Sequence, residues 1–264
     1  MKLGFIGLGN MAKAMLGGML SKGLVTPQQV IGSCKTKETA AKVQEELGIR
    51  TTLDNREAAQ EADILILAIK PQFFTEVIPQ IKDLVREDTL VISIAAGKTI
   101  AFIEEQFGRP IKLIRCMPNV AALVGESCTS VSANERVTVE QLEQALLLIN
   151  SFGKAIEVPE RLIDAVVGVS GSSPAYVFVF IEAMADAAVA AGMPRKQAYE
   201  FAAQAVLGSA KMVLETGMHP ATLKDMVCSP GGTTIAAVKV LEQKGMRAAV
   251  MDAMEACIEK SRSL

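Results

Sequence analysis

The chain opens on a strand that runs into a glycine-rich turn and then a helix, all before Gly23. The strand is Leu3-Gly4-Phe5-Ile6, the turn is Gly7-Leu8-Gly9-Asn10-Met11-Ala12, and helical spacing covers Met11–Lys22. No other stretch restricts the possible folds as strongly. In Gly7-x-Gly9-x-x-Ala12 the first glycine permits a tight turn, the second lets backbone approach a pyrophosphate, and Ala12 keeps helix and strand close. The pyrophosphate then rests on free N–H groups at the positive end of the helix. Glycines also end strands for structural reasons alone, so the strand-turn-helix context carries the reading.

Beyond that opening, short β-branched runs alternate with helical patterns as far as Val158. Leu3–Ile6, Val30–Ser33, Asp63–Ala68, Leu90–Ile94, Lys112–Met117 and Ser127–Ser132 read as strands, with Ala155–Val158 as a last one. Lys37–Leu47, Phe74–Val85, Ile100–Phe107 and Val139–Ser151 have helical spacing, as Met11–Lys22 does. Such alternation implies a parallel sheet covered on both faces. Ile64-Leu65-Ile66-Leu67 is apolar throughout, as a strand buried on both faces should be.

After Val158 the alternation stops, and helix follows helix, rich in Ala, Val and Met. Gly168–Pro174, Gly192–Pro194, Gly217–Pro220 and Ser229–Gly232 punctuate them. The expected fold is α/β: an N-terminal Rossmann-type parallel-sheet domain over residues 1–158, which binds a dinucleotide, and a C-terminal all-helical domain over 159–264. So apolar a helical segment would leave large exposed patches on a monomer, so it is expected to form a subunit interface. Tyr176–Ala191, apolar except for Glu182 and Asp186, is short of the ~20 residues of a membrane span and reads as a helix buried in a core or between subunits.

Of 264 residues, 21% are charged and 50% are apolar, which suits a packed soluble protein. A net charge of −2 without a basic run leaves no footprint for nucleic acid. The five cysteines (Cys34, Cys116, Cys128, Cys228, Cys257) are scattered, with no C-x-x-C pair. Reduced thiols in a cytoplasmic setting are expected, without a disulfide framework or a zinc site. Gly4, Gly7 and Gly9 fit a strand and turn better than a secretory leader.

The choice of dinucleotide is made after the second strand. An NAD site places Asp or Glu there to bind ribose hydroxyls. Here Ser33-Cys34-Lys35-Thr36-Lys37 offers hydroxyls and ammoniums, with no acid before Glu38. That favours NADP(H), because a carboxylate would repel the 2′-phosphate; the alternative is that Lys35 and Lys37 only begin the next helix. Lys70, at the end of Ala68-Ile69-Lys70-Pro71, is either a cofactor contact or a solvated loop residue. Ala95-Ala96-Gly97 either leaves room for a nicotinamide or is a simple strand-to-helix turn.

The absences narrow the chemistry. His219, the only histidine, stands in a Gly-x-His-Pro loop without an obvious acidic partner. A lone loop histidine reads as exposed or capping, so histidine acid–base catalysis is not expected. No metal-ligand cluster and no G-x-S-x-G motif are present. Two Gly/Ser segments remain: Gly168–Tyr176, and Ser229-Pro230-Gly231-Gly232-Thr233-Thr234 ahead of an apolar helix. The second is either an anion site suited to a carboxylate or a helix cap made by Thr233 or Thr234.

Gly4–Ala12, Ala68–Pro71, Ala95–Gly97, Arg115-Cys116-Met117-Pro118-Asn119, Gly171-Ser172-Ser173-Pro174-Ala175-Tyr176 and Ser229–Thr234 occur in one order along the whole chain. Together they resemble the pyrroline-5-carboxylate reductase family. Ser229–Thr234 is the most specific of these motifs, because the first is shared with many dehydrogenases. One departure is Gly-Ser-Ser-Pro where Gly-Ser-Gly-Pro is expected, which touches turn geometry more than chemistry.

The resemblance implies NAD(P)H-dependent reduction of the cyclic imine 1-pyrroline-5-carboxylate to L-proline, the last step of proline biosynthesis. It implies that Ser229 and the backbone of Gly231, Gly232 and Thr233 hold the substrate carboxylate, and that the hydroxyl of Thr234 is the catalytic group near the ring nitrogen. It carries cofactor contacts onto Ile6, Gly7, Leu8, Gly9, Asn10, Met11, Cys34, Asn55, Ala68, Ile69, Lys70, Pro71, Ile94, Ala95 and Ala96. Ser33 and Lys35 join them from the 2′-phosphate reading. A homodimer through the helical domain, assembled further into a decamer of five dimers, is implied as well.

The residues agree with imine chemistry on their own. A protonated imine is already electrophilic, so hydride transfer needs orientation more than a tuned acid. Ketone reduction creates an alkoxide and demands a proton donor. A 3-hydroxyacid dehydrogenase is the nearest rival. Such enzymes place a Lys on the helix entering the second domain, whereas this chain has none between Lys154 and Lys196. A regulator that binds NADP(H) without turnover is the non-enzyme rival, and the intact Ser229–Thr234 loop speaks against it.

Overall fold

The computed structural model describes residues 1–263. Its first part is an eight-stranded sheet in the order β3-β2-β1-β4-β5-β6-β7-β8. The strands are β1 (Leu3–Ile6), β2 (Val30–Ser33), β3 (Arg50–Thr52), β4 (Ile64–Leu67), β5 (Leu90–Ser93), β6 (Lys112–Met117), β7 (Ser127–Ala133) and β8 (Gly153–Glu157). The helices that accompany them are α1 (Asn10–Ser21), α2 (Lys37–Leu47), α3 (Asn55–Glu61), α4 (Phe74–Ile81), α5 (Ile100–Phe107) and α6 (Val139–Ile149). β1, β2, β4 and β5 are buried along their whole length, and helices pack into two apolar clusters, one on each face.

Two elements escaped the sequence reading. β3 is three residues, Arg50-Thr51-Thr52, on the sheet edge and only part-buried, so it has no apolar run. α3 is polar apart from the buried Ala58 and Ala59, and is begun by the Asp54 carboxylate accepting from Arg56 N at 3.0 Å. The expectation of a parallel sheet needs one correction, since β7 runs antiparallel to β6. The link between them, Pro118–Glu126, holds a single 3-10 turn (Val120–Val124). It is shorter than the dozen or more residues of a parallel crossover. α6 then supplies a true crossover, and β8 pairs parallel to β7.

The sheet ends at Glu157, close to the expected break at Val158, but the compact unit continues. Met1–Ser172 and Cys257–Leu264 form one unit, and Ser173–Ala256 the other. Within the first, a 3-10 turn (Glu160–Leu162), α7 (Ile163–Val166) and a π-helical turn (Val167–Gly171) follow the sheet. Asn119 Nδ2 donates to Ser170 O at 3.0 Å, which ties the π-helical turn to the sheet, and Ser261 Oγ donates to Asp164 Oδ1 at 2.7 Å, which ties the end of α12 into this unit.

The second unit comprises α8 (Ser173–Ala190), α9 (Arg195–Thr216), α10 (Pro220–Val227), α11 (Thr233–Gln243) and most of α12 (Met246–Arg262). Its buried apolar residues are only Ala185, Ala198, Ala202 and Leu223. Val177, Phe178, Val179 and Phe180 are exposed in succession on α8, with Phe201, Leu207 and Leu214 on α9 and Met251 on α12. The run Glu160–Ala190 is long and apolar enough by length and composition to cross a membrane. Its Asp186, however, is paired with Arg195 of α9. A helix apolar on all sides needs cover from outside its own unit. Light scattering at micromolar protein is therefore expected to give at least twice the 28.1 kDa chain mass, and an active, stable monomer would refute this.

Candidate functional site

The β1–α1 turn is built by close backbone approach. Gly7 N donates to Ser33 O at 3.0 Å, and Ala68 N donates to Ile6 O at 2.9 Å, so three strand ends meet there. Gly7 has φ +95°, and a Cβ on it would stand 2.6 Å from Ala68 O. Leu8 packs beneath Gly32, where a Cβ would meet Leu8 Cδ2 at 2.5 Å. Gly9 differs. Its φ is −74°, a conformation open to any residue, and no atom lies within 4 Å of its would-be Cβ. Nothing in the fold demands glycine there, which fits a position kept bare for a ligand. No side chain caps α1 and no acid occupies its first turn, so its N-terminal N–H groups and positive dipole end suit an anion.

Beside this turn lies a cleft of about 460 Å³. Of the expected cofactor residues, Gly7, Leu8, Gly9, Ser33, Cys34, Lys35, Asn55, Ile69 and Lys70 line it. Thr39, Leu53, Phe73, Glu76, Val77 and Gln80 line it too and were not anticipated. Asn55 is held from both sides: its Oδ1 accepts from the buried Ser33 hydroxyl at 2.7 Å, and its Nδ2 donates to Gln80 Oε1 at 3.0 Å. The Lys35 ammonium stands 5.6 Å from the centre of the Phe73 ring. Burial pushes the Cys34 thiol up, outweighing its bond to the Thr36 carbonyl, so no thiolate opposes a phosphate there. The only carboxylate in this lining, Glu76, comes from α4 and not from the end of β2.

The other expected contacts lie outside that lining. Met11 lies in the first turn of α1, and Asn10 lines a separate groove along that helix. Ala68, Pro71, Ile94, Ala95 and Ala96 follow the carboxyl ends of β4 and β5, which run in register with β1. Ala95 is buried, and Ile94 N donates to Leu67 O at 3.3 Å.

In the second unit, Ser229–Thr234 forms a turn closed by Gly232 N donating to Ser229 O at 3.0 Å, with Gly231 at φ +69°. The cap of α11 is Gly232, without a side-chain hydrogen bond. Thr233 and Thr234 are already the first two helical residues, so the threonine-cap alternative does not hold. The first turn carries no acid and presents its N–H groups uncapped, with two hydroxyls beside them. His219 does cap: its Nδ1 accepts from Ala221 N at 3.2 Å, at the start of α10. Among the described residues, no cluster of His, Cys, Asp or Glu is arranged to hold a metal ion.

Residues 160–264 match the family model described as pyrroline-5-carboxylate reductase dimerisation, and residues 2–97 match that for NADP oxidoreductase, coenzyme F420-dependent. The chain is 54% identical to the pyrroline-5-carboxylate reductase of Escherichia coli strain K12 over 263 residues, covering 100% of this chain and 98% of that one. It belongs to the pyrroline-5-carboxylate reductase family. A solved structure of a pyrroline-5-carboxylate reductase from Coxiella burnetii superposes with a TM-score of 0.93 at 35% identity, over 99% of this chain and 97% of that one. The Plasmodium falciparum enzyme, solved with NADP bound, gives 0.90 at 32% identity, again over 99% and 97%. The chain is thus an oxidoreductase of a nicotinamide cofactor.

Gly9 gives a direct test of the cradle. Gly9→Ala meets no protein atom and no backbone strain, so its melting temperature should fall by at most about 3 °C, the effect of a weaker cap. Its affinity for NADPH, read by fluorescence titration, should fall more than about tenfold, since a methyl group there excludes the pyrophosphate. Unchanged affinity would remove Gly9 from the site.

Proposed function

We propose that the chain reduces 1-pyrroline-5-carboxylate to L-proline, using NADPH in preference to NADH. The observation that carries this reading is family membership over the full chain, joined to a cofactor cleft and an uncapped anion-binding turn in the two units. Gly7, Gly9 and the start of α1 hold the pyrophosphate; Lys35, with Cys34, Asn55 and Ser33, holds the adenosine end. Ile94, Ala95 and Ala96, with Ala68–Pro71, leave space for the nicotinamide. The bound cofactor supplies the hydride that adds to the imine carbon.

Ser229 and the N–H groups of Gly231, Gly232 and Thr233 fix the substrate carboxylate, and Thr234 holds the ring nitrogen. The C=N electron pair moves onto that nitrogen as the carbon is reduced, so a protonated imine becomes the neutral amine. No histidine or tuned acid is required, in keeping with His219 serving as a cap. Residues 1–158 act as the dinucleotide domain and 159–264 as the substrate and dimerisation domain. The dimer assembles into a decamer of five dimers in the cytoplasm, a setting supported by five unpaired cysteines.

The cofactor preference rests on cations at the end of β2. Changing Lys35 and Lys37 together to Ala should lower kcat/KM for NADPH more than for NADH, because only NADPH carries the 2′-phosphate. Equal losses with both cofactors would show that these lysines do not read it.

The loop assignments separate by kinetics. Thr234→Ala removes a bond to a nitrogen whose charge changes during the reaction. It should lower kcat and kcat/KM by about ten- to two-hundredfold, for a buried hydrogen bond of ~1.5–3 kcal/mol. Ser229→Ala removes a contact to a carboxylate whose charge is constant, so it should raise KM and leave kcat nearly unchanged. A Thr234→Ala enzyme with full turnover would end the catalytic assignment.

A further inference from the structure

Arg115 lies in the middle of the sheet, on β6 between Ser93 of β5 and Ser132 of β7. It is a charged residue only 5% exposed. Its Nη1 contacts Glu160 Oε1 at 2.9 Å, and the same oxygen accepts from Ile100 N at 2.7 Å. Ile100 is the first residue of α5, so the Glu160 carboxylate sits at the positive end of that helix. One oxygen atom therefore joins the sheet centre, the start of α5, and the point where the chain leaves the sheet.

Stability alone does not account for this arrangement. A buried ion pair is roughly matched by apolar residues of similar volume, and here Arg115 Nε stays buried without a hydrogen-bond partner. What the pair does secure is a short segment. Ala95–Thr99 runs from β5 to α5, turning at Gly97 with φ +71°. Ala95 N is 3.4 Å from Ser93 Oγ at one end, and Glu160 holds the first N–H of α5 at the other.

We propose that Arg115 and Glu160 are positioning residues for hydride transfer, holding the Ala95–Thr99 segment where the nicotinamide end of the cofactor is seated. This rests on the assignment of Ala95 and Ala96 to the cofactor site. Neither charged side chain touches a reacting atom. Both act through the segment they anchor, and small misplacements of a reacting group are costly in rate.

Glu160→Gln leaves Arg115 buried without its counter-charge and is expected to lower the melting temperature. The deciding variant is Arg115→Met with Glu160→Leu, which removes both charges at similar volume and so restores stability, but leaves Ile100 N without its acceptor. Three readouts are compared with wild type: melting temperature, dissociation constants for NADP+ and for 2′-phospho-ADP-ribose, and single-turnover hydride transfer. The double variant should melt near wild type and bind 2′-phospho-ADP-ribose within about twofold, while hydride transfer falls about tenfold or more. Recovery of hydride transfer along with the melting temperature would overturn the proposal and leave a structural ion pair. Equal weakening of both ligands would overturn it also, because the effect would not be confined to the nicotinamide end. Wild-type protein that bound neither ligand would overturn the cofactor assignment itself, and this proposal with it.

Discussion

At Gly7 the backbone turns so close to Ala68 that a single carbon atom cannot be added, and the ligand-facing half of the sheet hangs on that contact. The turn is bonded to Ser33 on one side, while Ala68 is bonded to Ile6 on the other. The carboxyl ends of β1, β2 and β4 are therefore fixed relative to one another. Strands buried on both faces leave no room for a slip of register, since it would exchange one packed face for the other. The helix entering at Asn10 is aimed by the same turn, and the cleft beneath it follows.

The two units solve burial in different ways. In the first, the strands buried along their whole length and the helices on both faces exclude water from two apolar clusters. The second has long helices yet buries mainly alanines, and leaves Phe178, Phe201 and Leu214 exposed. The match of residues 160–264 to a dimerisation family model supports homo-oligomerisation, which would cover such side chains. On α8 charge is confined to Glu182 and Asp186, in keeping with the cost of desolvating ions in an interface core.

The polar groups that line the cleft beside Gly7 hold one another in place. Ser33 and Gln80 orient the Asn55 amide through one acceptor and one donor, leaving little rotational freedom to lose. The Ser229–Thr234 turn achieves the same end with backbone alone, since Gly231 adopts a positive φ and Gly232 a cap without a side chain. The chain's only histidine serves as a helix cap, and reduction of a protonated imine asks more for orientation than for a tuned acid.

The sequence by itself determined the Gly7–Gly9 turn, the alternating strands and helices, the lack of an acid at the end of β2, and an apolar helical half too bare to stand alone. Each is a local pattern of backbone permission, periodicity or charge, legible within a few residues. Tertiary structure alone decided the rest. β3 and α3 contain too little apolar surface to signal themselves, and form because the sheet edge and the Asp54 cap accept them. Leu53 enters the cleft just after β3, Phe73 just before α4 and Gln80 from within α4, all distant in sequence from Gly7. β7 reverses because Pro118–Glu126 is too short to cross over, and Glu160 reaches Arg115 and Ile100 from 45 and 60 residues away. Such contacts depend on how strands order themselves side by side, and no window along the chain contains both partners.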